Sequence, residues 1–181
     1  MVVTPEGLLY LEQFVSPEEE RELLGVIEAL DFRELTMRGQ TAKRTVRHFG
    51  LDYEYETGGA VPGDPLPEGL VWLRDRAAAL IERDPKDLLQ ILVTRYPAGA
   101  GIGWHRDAPM FGSKIPGVSL RAPARMRFQR TVRGERETAA VELAPRSAYV
   151  LSGKARWSWQ HSIPATKDLR YSVTFRTLKR R

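Results

Sequence analysis

The stretch Gly101-Ile102-Gly103-Trp104-His105-Arg106-Asp107 sets an imidazole and a carboxylate two residues apart. On an extended backbone, residues i and i+2 point to the same side, so His105 and Asp107 can converge on one object. An imidazole and a carboxylate together suit a divalent transition metal, and a second histidine would complete the facial triad used by non-haem iron. The chain contains His48, His105 and His161 and no cysteine, so thiolate metal sites, disulfides and a cysteine nucleophile are excluded. Any metal must be held by nitrogen and oxygen. His161, in Gln160-His161-Ser162-Ile163-Pro164, is available as a third ligand. Packing against its apolar neighbours is the alternative role.

A second pattern lies close to the C-terminal end. Arg170, Ser172, Thr174 and Arg176 share one parity, while Tyr171, Val173 and Phe175 share the other. The apolar face requires a core. The polar face must then meet water or line a polar pocket, because buried arginines are costly without anionic partners. A strand of six residues covers roughly 20 Å, so two arginine arms leaning inward leave a gap suited to a short dicarboxylate. An exposed edge strand with solvated arginines remains the other possibility.

These groups need elements to position them. Leu8–Leu11 reads as a short strand, and Ser16-Pro17-Glu18-Glu19 is a capping box that starts a helix. Leu23, Leu24, Ile27 and Leu30 recur at helical spacing behind it. Residues 36–50 are polar and basic, Tyr53 and Tyr55 alternate as in a strand, and the glycines and prolines of 57–69 mark a loop. Leu70, Leu73, Ala77, Leu80 and Ile81 predict a second helix, ended by Asp84-Pro85. From Leu88 onward short strand signals follow one another: 89–96, 118–120, 126–129, 139–143, 148–151 and 169–178. The expected fold is α+β with a mainly β core, a jelly roll supported by two N-terminal helices. A single domain over residues 1–181 is expected, with a helical part to about 87 and the jelly roll from about 88 to 178.

Composition bounds the function. At 181 residues, with 42% hydrophobic and 28% charged residues, the chain is ordinary for a globular domain with a sizeable core. There is no secretory signal and no run as long as a membrane span, so a cytoplasmic protein without membrane attachment is expected. Lysine and arginine exceed aspartate and glutamate by 28 − 23 = 5, which favours an anionic partner such as nucleic acid. Residues 121–136 hold six arginines, and positions 179–181 read Lys-Arg-Arg. A phosphate-binding surface and a solvated hairpin with a basic tail both fit that pattern.

Taken in order, Thr94-Arg95-Tyr96, His105-Arg106-Asp107, Gly117-Val118-Ser119-Leu120, His161 and Arg170–Arg176 resemble the AlkB family of Fe(II)/2-oxoglutarate-dependent dioxygenases. The resemblance covers roughly residues 88–177. Arg44–Gly50 also resembles an Arg-x-x-x-His-Phe-Gly segment seen in some members. The resemblance implies that His105, Asp107 and His161 bind the iron. Arg170 would pair with the distal carboxylate of 2-oxoglutarate, aided by Tyr96 and Ser172, with Thr94 beside them and Arg176 near the carboxylate closest to the metal. It implies oxidative dealkylation of N-alkylated bases such as 1-methyladenine or 3-methylcytosine in DNA or RNA. O2 and 2-oxoglutarate are consumed, and succinate, CO2 and formaldehyde are released. The same chemistry on modified tRNA or protein, or a non-catalytic nucleic-acid-binding member, are the alternatives. A monomer is expected.

Substrate residues would be Arg44, Arg47 and His48 in a nucleotide lid, Tyr55 or Trp104 stacking on a flipped base, and Arg121. Packing around the barrel mouth is the other role open to the aromatics. Three positions depart from the best-known members. Thr94 replaces the usual asparagine, and Arg121 stands where glycine is common. Ala108-Pro109-Met110-Phe111-Gly112 follows Asp107 in place of an acidic pair. Phe111-Gly112 with Ile115 instead resembles a branch that includes RNA-directed enzymes.

Overall fold

The structure, a computed structural model, describes residues 4–53 and 60–179. Strand β1 (Leu8–Leu11) leads into helix α1 (Pro17–Ile27). The Ser16 side chain accepts from the Glu19 N–H while Glu19 accepts from the Ser16 N–H, so the capping box forms in full. Next come β2 (Arg33–Met37), β3 (Gln40–Tyr53) and β4 (Ala60–Pro62). Helix α2 (Glu68–Leu80) is followed by a short 3-10 turn at Pro85–Asp87, capped by the Asp84 carboxylate on the Lys86 N–H. The remaining elements are β5 (Gln90–Tyr96), β6 (Ile102–His105), β7 (Ile115–Leu120), β8 (Ala124–Val132), β9 (Glu135–Leu143), β10 (Ser147–Leu151), α3 (Gly153–Trp157), β11 (Gln160–Ile163) and β12 (Arg170–Arg176).

Two sheets result. The major sheet runs β1-β10-β7-β12-β5-β3-β2 with β4 joined to β3, and the minor sheet runs β6-β11-β8-β9. Strand β12 is central in the major sheet, between β7 and β5, so its polar face is not an edge exposed to water. Its alternation is resolved by what lies on either side. Val173 and Phe175 pack into one apolar cluster with Leu23 and Ile27 of α1 and Leu70 and Leu73 of α2. Arg170, Ser172, Thr174 and Arg176 face the minor sheet. The two helices therefore seal the outer face of the major sheet, each fully buried leucine or isoleucine contributing about 2 kcal/mol. A second cluster, with Ile115, Met126, Phe128, Tyr149 and Trp159, fills part of the space between the sheets. This is a mainly β fold with three α-helices among the described residues, and it carries the jelly-roll architecture.

The polar stretch before residue 54 behaves differently from its composition. It forms the longest strand, β3, which pairs with β5 from Thr45↔Arg95 to Gly50↔Gln90. Strands from the N-terminal part thus extend the major sheet, and a jelly roll counted from 88 alone would lack them. Gly50 is required at the end of this pairing: its φ is +78°, and a Cβ would lie 2.0 Å from the Leu89 carbonyl oxygen. Among the described residues no helix is long and apolar enough to cross a membrane.

Candidate metal centre and cavity

The three candidate ligands come from two adjacent strands and the loop after one of them. His161 on β11 is the direct cross-strand partner of His105 on β6, so both imidazoles leave the same face of the minor sheet. Their ring centroids are 4.2 Å apart. Asp107 follows immediately after β6, with Oδ1 3.5 Å from His161 Nε2. One ligand atom from each of the three lies within 4.8 Å of the others. His105 Nδ1 lies 2.8 Å from the Gly103 carbonyl oxygen. With Nδ1–H donating there, the lone pair on Nε2 is left for a metal.

One guanidinium group fixes the carboxylate and a second fixes the loop that carries it. Arg176 Nε donates to Asp107 Oδ2 at 2.8 Å, and its Nη1 donates to Gln90 Oε1 at 2.8 Å across the β12–β5 pair. Burial pushes the Asp107 pKa up, but the charge of Arg176, the fields of both histidines and the Arg176 hydrogen bond outweigh it and hold the carboxyl well below its usual range. Burial lowers His161 to about 4, the charge of His105 adds to that, and Asp107 opposes it. Both ligands are thus deprotonated near neutrality, the form that binds a metal.

Arg156, on α3, was not singled out by sequence. It is 2% exposed and donates to four backbone carbonyls: Gly112 from Nε, Asp107 from Nη1, and Ala108 and Phe111 from Nη2, at 2.9–3.2 Å. A single planar fork thereby sets the loop that carries Asp107.

The cavity between the sheets is about 420 Å³, within the range of small-molecule sites. Across β12 and β5 its floor is built from facing pairs: Arg170 with Tyr96, Ser172 with Thr94, Arg176 with Gln90. Arg170 is 1% exposed; its Nε donates to Ser119 Oγ at 2.9 Å and its Cζ lies 5.0 Å from the Tyr96 ring centroid. Its Nη1 is buried with no hydrogen-bond partner. Tyr149 is a further wall that the sequence did not reveal. Its ring lies over Gly117, where a Cβ would come within 2.3 Å of Tyr149 Cζ. Burial, then the Asp107 charge, pushes its phenol up to about 12, so it remains a hydrogen-bond donor.

The structure brings Arg44, His48 and Trp104 to the cavity. Arg44 Nη1 donates to the Gly101 carbonyl at 3.3 Å, and Arg127 Cζ stands 5.1 Å from the Trp104 ring centroid. It does not bring Arg47 or Arg121. Arg47 has the opposite parity on β3, pairs with Asp64 at 2.5 Å and covers Phe49. Arg121 reaches Glu28 at 2.8 Å, beside α1. Tyr55 lies outside the described residues.

With the geometry in place, comparison with known proteins is decisive. A profile of the 2OG-Fe(II) oxygenase superfamily matches residues 7–176. The chain belongs to that superfamily, as an AlkB-like member. A tRNA (carboxymethyluridine(34)-5-O)-methyltransferase of Xenopus tropicalis is 33% identical over 90% of this chain and 26% of its own length. An Arabidopsis thaliana protein named alkylated DNA repair protein ALKBH8 homolog is 31% identical, over 89% of this chain and 51% of its own. The chain thus spans about a quarter of the animal relatives it matches and about half of the plant one. The structure of OsALKBH1 superposes with a TM-score of 0.69 at 17% identity, covering 98% of this chain and all of that one, which shows the shared fold.

This AlkB-like oxygenase is an Fe(II)/2-oxoglutarate-dependent dioxygenase, and its residues fit both cofactors. Two imidazoles and a carboxylate form the donor set for Fe(II). The unpartnered Nη1 of buried Arg170 and the cationic cavity walls fit a dicarboxylate.

Two outcomes follow. In Arg156→Lys one ammonium cannot serve four carbonyls, so Mn(II) affinity measured by calorimetry falls by about tenfold or more with the far-ultraviolet circular dichroism unchanged. For the metal-free protein, His161 binds its proton near 6.5 when unfolded but only near 4 when folded. Unfolded chains therefore hold more protons between those values. Urea unfolding should show stability falling as pH drops from about 6.5 towards 4, with a weaker slope in His161→Gln.

Proposed function

We propose that this oxygenase hydroxylates a carbon on a modified base of RNA, with transfer RNA the first candidate. With Fe(II) and 2-oxoglutarate bound, the site supplies oxidative decarboxylation of the co-substrate coupled to hydroxylation of a carbon. His105, Asp107 and His161 hold the metal. Arg170 takes the distal carboxylate of 2-oxoglutarate between Tyr96, Ser172 and Thr94. Arg176 holds Asp107 in its charged form beside the nearer carboxylate. Arg44, His48 and Trp104 receive the base.

The observation that carries this reading is the charge of the cavity walls. Of the arginines that line the cavity, Arg170 is given to the co-substrate and Arg176 is tied to Asp107, which leaves Arg44 and Arg106 towards the base; among the described residues Asp107 is the single carboxylate there. A cationic base such as 1-methyladenine or 3-methylcytosine finds no free carboxylate to meet it, whereas a neutral or anionic base is favoured. The loop after Asp107 contributes Ala108 and Phe111 to the wall, both apolar. Support also comes from relatives 31–33% identical whose names specify a carboxymethyluridine of tRNA. The plant relative's name favours a second reading, N-dealkylation of DNA bases with release of formaldehyde.

Fe(II)-loaded protein should form succinate in response to bulk tRNA, and nucleoside mass spectrometry should find one oxygen atom added to a uridine derivative without formaldehyde. Formaldehyde from methylated DNA oligonucleotides, with tRNA left unoxidised, would overturn the proposal in favour of the second reading.

A further inference from the structure

A second concavity lies behind the loop that carries Asp107. It is also about 420 Å³ and is lined by Arg83, Lys86, Leu89, Trp157 and Lys179 together with Asp87. Trp157 is 37% exposed and Leu89 39%, so an indole and an apolar side chain stand open to solvent among three cations. Arg83 and Lys86, exposed on the turn after α2, make no ion pair among the described residues. Lys179 Nζ lies 5.3 Å from the Trp157 ring centroid, and Arg156 Cζ lies 4.0 Å from it. Trp157 is therefore held by cations and still has more than a third of its surface open to solvent. Asp87 is the one acid among the lining residues, while Glu82 and Asp84 flank Arg83 on the same turn and Glu82 pairs with Lys114.

The groove is coupled to the catalytic cavity through shared backbone. Gly112 lines the groove and Phe111 lines the cavity. Arg106, on the cavity wall, donates from Nη1 to the Trp157 carbonyl at 3.1 Å. The Lys179 N–H is bonded to the Met110 carbonyl at 2.7 Å. Arg44 and Arg106 thus line the cavity, and Lys179, Lys86 and Arg83 line the groove, with Arg106 bonded to the residue that carries the groove's indole.

The arginine-rich β8–β9 hairpin is the rival surface, and two of its arginines are neutralised within it. Arg125 pairs with Glu142 and Arg130 with Glu137, while Arg136 is bonded to Gln129. Unpaired cations beside an exposed indole are the combination that binds a nucleic-acid strand, with phosphates on the cations and a base on the ring.

We propose that the Trp157 groove holds the RNA strand flanking the base in the catalytic cavity, with phosphates on Arg83, Lys86 and Lys179 and one base stacked on Trp157. This rests on the RNA reading above. The test uses the Mn(II)-loaded full chain and a fluorescein-labelled tRNA anticodon-arm RNA, followed by anisotropy across a salt series. In the double variant Arg83→Glu/Lys86→Glu, affinity should drop by about tenfold or more and the log–log salt slope should be shallower by about 2. Its affinity for 2-oxoglutarate should match wild type. Trp157→Leu, checked for folding by its melting curve, should weaken binding about fivefold or more with the salt slope unchanged. RNA affinity and slope equal to wild type in the charge-reversed variant would overturn the groove assignment alone. Absence of RNA binding and of RNA-stimulated succinate in the wild type would overturn the RNA reading on which it rests.

Discussion

A guanidinium sealed between two sheets, with one nitrogen left unpaired, is the constraint on which this molecule turns. Arg170 is buried, Ser119 accepts from one nitrogen, and Tyr96 covers its face, yet Nη1 has no acceptor. An unsatisfied buried donor costs about 1–3 kcal/mol, and more when charged. The chain tolerates this because β12 is central in the major sheet and two helices bury its other face. The stability of the scaffold lets one side chain be arranged for an anion that arrives from outside. The metal ligands obey the same logic: Arg176 keeps Asp107 charged, and burial keeps His161 neutral.

Much of this was legible because it is local. The parity of Arg170–Arg176 assigns one face to apolar partners and the other to a polar cavity, and the helices and the floor of the site follow that division. The capping box at Ser16 formed as its side chains dictate. The pairing of His105 with His161 is non-local and came from the resemblance rather than from spacing. Strand β3 was hidden because its neighbours in the sheet, not its own composition, make it a strand. Arg156 sits in a run that reads as a basic surface turn, and nothing in its spacing announces four carbonyl partners from a loop 44 to 49 residues earlier. Tyr149 reaches the cavity wall over the glycine opposite it on β7, a relation that spacing along the chain does not announce.

Charge is also distributed less simply than the sequence suggests. Two arginines of the most arginine-rich segment pair with its own glutamates, and Arg47 and Arg121 are engaged with Asp64 and Glu28. Arg44 and Arg106 at the cavity and Arg83, Lys86 and Lys179 at the groove behind it are among the cations left without carboxylates among the described residues. A count of basic residues therefore identifies an anionic partner without saying where it binds; only pairing in the folded chain does that.

The most direct test of the central claim is calorimetric titration of 2-oxoglutarate into Mn(II)-loaded wild type and Arg170→Met. If the unpaired Nη1 exists to receive the co-substrate, the variant keeps its Mn(II) affinity and loses at least about tenfold in affinity for 2-oxoglutarate. Equal 2-oxoglutarate affinity in the two proteins, with Mn(II) bound in both, would contradict the account.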